Sequence, residues 1–315
     1  MTELKQTPTL YIVIPCYNES EVIGETAART LAILTGLVSD ERVSANSRIL
    51  FVDDGSRDDT WARIVALHAG DKRFRGLKLS RNRGHQIALL AGLIDGSGDA
   101  DVTISMDADL QDDPGVIPEM LDKYGNGAEI VYGVRSERKL DSAFKRVTAE
   151  GYYAFLRGLG GDIVRNHADY RLLGRRALDA LSEYKESNLF LRGIIPMLGY
   201  KSEVVYYARA ERFAGITKYP LKKMLDFAMD GITSLSAKPL SLIGAIGAIL
   251  LFAGLTSMCV SLAVGAAVAA LICSMWACSG LILCAMGIVG MYIGKIYIET
   301  KRRPRYFIEA ELDGE

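Results

Sequence analysis

Residues 239–294, between Lys238 and Lys295, contain no Asp, Glu, Lys or Arg. A core helix of a globular protein averages about 10–14 residues. One bilayer span takes about 20–25. The charge-free stretch therefore has the length of two spans, placed at 239–260 and 267–293, and a wholly soluble chain is excluded. Residues 1–238 hold nearly all the charge and have ample length for a water-soluble core. The whole chain is 50% hydrophobic and 24% charged with a formal net charge of −1. That balance rules out disorder and leaves no basic surplus for nucleic acid. Four of the five cysteines (Cys259, Cys273, Cys278, Cys284) fall in the apolar stretch and only Cys16 lies outside it, so no disulfide framework is expected. The first residues run into a short strand rather than a signal-peptide core. Lys218, Lys222, Lys223 and Lys238 precede the first span, and Lys301-Arg302-Arg303-Pro304-Arg305 follows the second. Basic flanks at both outer ends predict a hairpin in the inner membrane, with both termini and the large domain in the cytoplasm. Gly244, Gly247, Gly287, Gly290 and Gly294 recur at spacings that permit close helix approach, a weak pointer to self-association.

Along the first half, β-branched runs alternate with helical stretches. Leu10-Tyr11-Ile12-Val13-Ile14-Pro15 reads as a strand, followed by a helix opening at Asn18-Glu19, with Asn18 or Ser20 as its cap, and continuing to about 37. Ile49-Leu50-Phe51-Val52, Leu77-Lys78-Leu79, Asp101-Val102-Thr103-Ile104-Ser105-Met106 and Glu129-Ile130-Val131-Tyr132-Gly133 read as further strands, with helices over 59–69 and 84–94. This alternation predicts an α/β fold with a doubly wound, mostly parallel sheet. Ligands of such sheets bind beyond the carboxyl ends of the strands. Three polar clusters fall at those ends: 15–19, 53–58 and 107–113. Two amphipathic stretches, 189–198 and 221–235, mix Arg192, Lys222 and Lys223 with Phe190, Leu191, Met224 and Phe227. Their position before the first span favours a membrane interface over packing on the sheet. Of the histidines, His85 and His167 read as structural and His68 as a helix-surface residue.

Asp107-Ala108-Asp109 puts two carboxylates just past a strand. Mg²⁺ and Mn²⁺ bind through one or two carboxylates plus substrate phosphates, so the pair suits a metal-bound nucleotide diphosphate. An isolated Asp-x-Asp is common by chance and gains meaning from its neighbours. Ile14-Pro15-Cys16-Tyr17-Asn18-Glu19, Val52-Asp53-Asp54-Gly55-Ser56-Arg57-Asp58 and Asp107-Ala108-Asp109-Leu110-Gln111-Asp112-Asp113-Pro114 resemble the ordered motifs of inverting family-2 glycosyltransferases. Within that group the chain is similar to polyprenyl-phosphate glycosyltransferases, the bactoprenol glucosyltransferases and dolichol-phosphate mannose synthases. The narrower likeness rests on Ser80-Arg81-Asn82-Arg83-Gly84, Ala168-Asp169-Tyr170-Arg171-Leu172-Leu173, Arg212-Phe213-Ala214-Gly215-Ile216-Thr217-Lys218-Tyr219, and Tyr292-Ile293-Gly294-Lys295-Ile296-Tyr297 with its basic run. It extends from about residue 9 to 308. Two departures are Tyr170, where phenylalanine is common, and Arg83-Gly84-His85, where Phe-Gly-Lys or His-Gly is usual.

The resemblance implies a GT-A-type catalytic domain over 1–183, interface helices and an acceptor-phosphate loop over 184–237, two transmembrane helices over 238–296 and a basic-then-acidic cytoplasmic tail over 297–315. It places the nucleotide sugar against Pro15, Tyr17, Glu19, Asp53, Asp54, Arg81, Asp107 and Ala108. Asp107, Asp109 and Gln111 would hold Mg²⁺ or Mn²⁺. Arg135, Arg146, Arg212, Thr217 and Lys218 would meet the acceptor phosphate. Asp109, Asp169, Arg212 and Lys218 form the catalytic set, with Asp169 beside the sugar as a positioning group or helper base. The implied partners are a UDP-sugar, a polyprenyl phosphate, the bilayer and further copies of the chain as a homo-oligomer, a tetramer by resemblance.

The chemistry fits independently. A polyprenyl monophosphate is an anion at neutral pH, its second ionisation lying near 6, and attacks an anomeric carbon without a strong base. The demand is neutralisation of the departing diphosphate and capture of the acceptor phosphate by arginine. The expected reaction is inverting transfer of one sugar, glucose favoured over mannose from GDP-mannose. A processive polysaccharide synthase is disfavoured because neither Trp61 nor Trp276 ends a Gln-x-x-Arg-Trp element. A nicotinamide oxidoreductase would need Gly-x-Gly-x-x-Gly after the first strand. A non-catalytic scaffold is disfavoured by the intact Asp53, Asp107 and Asp109.

Overall fold

The computed structural model describes residues 7–135, 167–186, 190–208, 246–247, 249–250, 252–254, 256–257, 260 and 267–313. Its chain contacts divide into two units, 1–153 with 162–220 and 304–315, and 154–161 with 221–303.

The first unit is built on an eight-stranded sheet. In chain order the strands are β1 Leu10–Cys16, β2 Arg48–Asp53, β3 Phe74–Leu79, β4 Val102–Ser105, β5 Ile130–Arg135, β6 His167–Gly174, β7 Ser202–Tyr207 and β8 Ile308–Leu312. Across the sheet they run β7-β5-β6-β4-β1-β2-β3-β8. β1 pairs in parallel with β2 and β4, β2 with β3, and β5 with β7, whereas β6 and β8 are antiparallel to their neighbours. The expected α/β architecture with a mostly parallel sheet is observed. β1 is buried along its whole length, as a central strand covered on both faces must be.

Helices α1 Ile23–Ser39, α2 Thr60–Gly70, α3 His85–Ile94, α4 Ile117–Gly125, α5 Arg175–Ser182 and α6 Leu191–Met197 surround this sheet. Strand alternation splits the core in two. Ile12 and Ile14 join Ala27 and Leu34 of α1, Ile64 of α2 and Met120 of α4. Val13 joins Leu90 of α3, Leu178 of α5 and Ile195 of α6 on the other face. Gly76 in β3 has no room for a side chain, because Ile64 and Leu312 fill the space a Cβ would occupy.

Four local expectations are corrected. α1 begins at Ile23 after Val22, with no side-chain cap. Asn18 and Ser20 instead bond across to the turn after β2, where their hydrogen bonds join two loops. Residues 191–197 do not form an interface helix. Leu191, Ile194 and Ile195 are buried in the core, since β7 beyond them completes the sheet. The soluble unit thus runs past 183, and residues 304–315 belong to it through β8. His68 is buried, not at the surface, its Nδ1 lying 2.6 Å from the Phe74 carbonyl oxygen.

In the second unit, α7 spans Ala267–Thr300. Its segment Cys278–Thr300, with a mean hydropathy of 1.9, is long and apolar enough to cross a membrane. Leu283, Met286 and Ile293 are exposed on it. The expected span at 239–260 lies largely outside the described residues, and those described between 246 and 260 are helical.

Candidate active site

The parallel strands deliver their carboxyl ends to one edge of the sheet. There Cys16 of β1 stands beside Asp53 of β2, and the Asp54 amide donates to the Cys16 carbonyl at 2.9 Å. The two following loops are tied by cross-bonds. The Asn18 amide donates to Ser56 Oγ, the Arg57 amide to Asn18 Oδ1, each at 2.9 Å, and the Glu19 amide to Thr60 Oγ1, also at 2.9 Å. Asn18 takes a positive φ of 53° to make this crossing, a conformation asparagine tolerates better than most residues. Pro15 is buried in β1, whereas Tyr17 and Glu19 are half-buried in the loop.

Asp53 is fully buried. Its Oδ1 accepts from the Ser56 amide at 3.1 Å, while Oδ2 has no hydrogen-bond partner. Burial pushes its carboxyl above the usual carboxylate range. Asp54 accepts from the amides of Arg83 and Gly84 at 2.7 and 2.8 Å and is likewise raised by burial. Both its oxygens hold the loop before α3. Arg81 is exposed on that loop.

β4 leads into Asp107-Ala108-Asp109. The Ala108 carbonyl accepts from Thr26 Oγ1 of α1 at 2.7 Å, fixing the turn, and Asp109 Oδ1 accepts from the Gln111 amide at 3.2 Å. Because β6 runs antiparallel beside β4 with Arg171 opposite Ser105, Asp169 arrives next to Asp107. His85, the first residue of α3, lies between them. Its Nε2 is 3.5 Å from Asp107 Oδ1 and 3.5 Å from Asp169 Oδ2. Burial disfavours the imidazolium, but the bond to Asp169 and the charges of both aspartates outweigh it and raise His85 to about 9. Burial, opposed by His85 and reinforced by Asp112, Asp169 and Asp109, pushes Asp107 up to about 6.

Asp169 is held differently. Its Oδ1 accepts from Arg171 Nη2 and, at 3.2 Å, from Arg192 Nε, and its Oδ2 accepts from Arg192 Nη2 at 2.8 Å. Burial alone would raise it, yet Arg192, Arg171 and His85 hold it well below the usual carboxylate range. Arg171 is fully buried, with Nε and Nη1 lacking hydrogen-bond partners. Tyr170 points to the opposite face of β6, where its hydroxyl donates to the Asp113 carbonyl at 3.0 Å and its ring meets Tyr207 edge-on. Arg135 donates to buried Asp112 at 3.1 Å and to the Tyr207 hydroxyl at 3.3 Å.

The structure therefore gathers Pro15, Tyr17, Glu19, Asp53, Asp54, Arg81, Asp107, Ala108, Asp109, Gln111 and Asp169 along the carboxyl edge of one sheet. Arg146, Arg212, Thr217 and Lys218 lie outside the described residues. His85, Arg171 and Arg192 were not singled out as site residues. The variant Arg83-Gly84-His85 was the available signal for the first, since it kept a basic side chain where lysine is usual.

Residues 11–181, more than half of the chain, match the family model for glycosyl transferase family 2. The chain belongs to glycosyl transferase family 2. It is 49% identical to the uncharacterized glycosyltransferase YkoT of Bacillus subtilis, over 99% of this chain and 95% of that protein. It is 37% identical to a prophage bactoprenol glucosyl transferase homolog of Escherichia coli (95% and 97% of the two chains). The bactoprenol glucosyl transferase of Shigella phage SfV is also 37% identical (95% and 98%). The crystal structure of a mycobacterial protein shares the fold, with a TM-score of 0.51 at 20% identity over 72% of this chain and 74% of that one. The family-2 assignment makes the chain a glycosyltransferase of GT-A fold, and the carboxyl edge just described falls within the matched residues.

The donor set also fits a divalent cation. Asp107 Oδ1 and Asp53 Oδ2 are buried oxygens without hydrogen-bond partners. Such atoms are costly unless a ligand satisfies them. Among the described residues no three His, Cys, Asp or Glu side chains already form a metal cage. A hard cation held by one or two carboxylates plus substrate phosphates needs none.

Proposed function

We propose that this glycosyltransferase transfers one glucose, with inversion, from UDP-glucose to a polyprenyl phosphate at the cytoplasmic face of the inner membrane. The observation that carries the reading is the carboxyl edge itself, where buried oxygens of Asp53 and Asp107 lack hydrogen-bond partners beside an Asp169 fully engaged by arginines. The relatives named as bactoprenol glucosyl transferases support the acceptor and the sugar.

Asp53 and the loop of Tyr17 and Glu19 receive the nucleoside in this reading. Asp107, Asp109 and Gln111 hold Mg²⁺ or Mn²⁺, which when bound supplies positive charge to the departing diphosphate. Asp169, ionised and fixed by Arg171 and Arg192, orients the sugar. The acceptor phosphate oxygen forms a bond to the anomeric carbon, and the anomeric bond to the diphosphate breaks, its electron pair leaving with UDP. Arg146, Arg212, Thr217 and Lys218 are assigned to the acceptor phosphate by resemblance, with Arg135 at the end of β5 as a further cation. Arg135 is already bonded to Asp112.

Chain connectivity supports the two-span topology. The chain leaves the sheet after β7 and returns to it as β8, beyond α7. Both ends of the intervening apolar segment therefore lie on one side of any membrane it crosses, so crossings come in pairs. α7 supplies one, and the apolar stretch at 239–260 supplies the other. The basic residues at both outer ends support a cytoplasmic position for that side.

The test uses the purified full-length protein with undecaprenyl phosphate and a panel of UDP- and GDP-sugars, with and without Mg²⁺ or Mn²⁺. Metal-dependent formation of lipid-linked glucose from UDP-glucose is expected. Mannolipid from GDP-mannose would replace the donor assignment, and no product with any donor would overturn the reading.

A further inference from the structure

We propose that the segment returning from α7 braces the loop before α3, and that Arg83 is the positioning residue through which it acts. The proposal rests on the reading of this sheet edge as the donor site.

The loop 80–84 is held from two sides. On the inner side, Asp54 accepts from the amides of Arg83 and Gly84. Gly55, at a φ of 67°, lies so close to the Arg81–Asn82 backbone that a Cβ there would stand 2.6 Å from the Arg81 carbonyl carbon. Any other residue would push the loop away. On the outer side stands the returning segment. Arg83 Nε donates to the Arg305 carbonyl, and Arg305 Nη2 donates to the Tyr184 carbonyl. The Tyr306 hydroxyl donates to Asp95 Oδ2 at 2.6 Å, just beyond the far end of α3. The Ser80 amide donates to the Phe307 carbonyl at 2.9 Å, and from there β8 pairs with β3 as far as Leu312 opposite Gly76.

Capping an edge strand would by itself explain β8. It accounts for the Ser80 bond, which continues the ladder, but not for the bonds of Arg83 and Tyr306, which reach beyond the strand to the loop and to the end of α3. That loop opens α3, and the first residue of α3 is His85, 3.5 Å from both Asp107 and Asp169. A displacement of the loop is therefore passed at once to Asp54 and to the histidine between the two aspartates. Misplacement of about 1 Å can cost about a hundredfold in rate.

Full-length protein in detergent is compared as wild type, Arg83→Met, Arg83→Lys and a chain ending at residue 305, which keeps the apolar segment and its basic flank. The main readout is amide hydrogen exchange over residues 80–88, which requires no activity; donor KM and kcat are measured alongside. Arg83→Met and the shortened chain should exchange about tenfold faster in this segment, a loss of about 1.4 kcal/mol of local protection. Exchange in β1 should not change. In Arg83→Met, donor KM should rise more than kcat falls, and Arg83→Lys should recover most of the protection. Unchanged exchange over 80–88 in both Arg83→Met and the shortened chain overturns the proposal. Uniformly faster exchange through the sheet in both also overturns it, because the segment would then stabilise the fold rather than position the loop. Failure of the wild type to transfer any sugar would overturn the donor assignment instead and leaves the exchange result standing.

Discussion

Asp107 and Asp169 stand 3.5 Å from the same histidine nitrogen, yet their carboxyls are pushed in opposite directions. Burial and neighbouring carboxylates raise Asp107 to about 6, whereas two arginines hold Asp169 well below the usual range despite its burial. One lies at the end of a parallel strand among carboxylates, the other on an antiparallel strand facing Arg171 and Arg192. In the proposed reaction the difference suits two jobs: a carboxylate engaged by two arginines can orient a neutral group such as a sugar, and one crowded by other carboxylates can take a cation and the diphosphate that comes with it.

The largest effect expected is on the side of Asp107 and Asp109. Asp109→Asn should lower transfer by about a thousandfold or more, as should chelation of the metal, because several kcal/mol of stabilisation of the leaving group is lost. Folding should be little affected. Full activity in both experiments would erase the distinction. On the side of Asp169 the main loss is in stability. Asp169→Asn removes the carboxylate that pairs with the fully buried Arg171 guanidinium, and breaking such a buried pair costs about 3–5 kcal/mol. The folded-state carboxyl of Asp169 is depressed, so its contribution is fully present above the unfolded value of about 3.9 and is lost as pH falls through the lower folded value. The deficit of the variant in denaturant melts should therefore shrink below about pH 4, and it should also be smaller at pH 8 than at pH 6, because the stabilisation that Asp169 gives protonated His85, raised to about 9, is lost as pH climbs above about 6.5. A deficit under about 1 kcal/mol at pH 7 would show that the arginines do not depend on Asp169.

These two sides were not equally legible in the sequence. The strand ends at Asp53 and Asp107 follow apolar runs of local origin, and Asp107-Ala108-Asp109 carries its chemistry within three residues. The Asp169 side depends on pairing across distance. β6 contains Asp169 and Arg171 among its buried residues, so it lacks the apolar pattern that marks a strand. Arg192 looked like a cation of an interface helix because its partner is on another element. β8 was hidden for a related reason. Ile308-Glu309-Ala310-Glu311-Leu312 alternates, but its acidic residues and its place after a basic run gave it the look of a solvated tail. Only β3, far back in the chain, makes it a strand. His68 similarly lies on a helix whose surface pattern says nothing of the Phe74 carbonyl it meets.

The smallest expected effect sharpens the comparison most, because it reverses sign. Asp53 is fully buried with Oδ2 unpartnered, and burial raises its carboxyl. A raised folded value means that ionisation costs stability, a cost that sets in as pH climbs through the unfolded value of about 3.9 and is complete above the folded value. Asp53→Asn keeps an oxygen for the Ser56 amide and removes the charge. Without ligand at pH 7 it should leave stability unchanged or raise it by up to about 1 kcal/mol, with any gain vanishing below about pH 4. Donor KM should nevertheless rise, since in the proposed reaction the charge serves the donor rather than the fold. Destabilisation by about 3 kcal/mol, as expected for Asp169→Asn, would place Asp53 in the same class as Asp169 and end the division of labour between the two carboxylates.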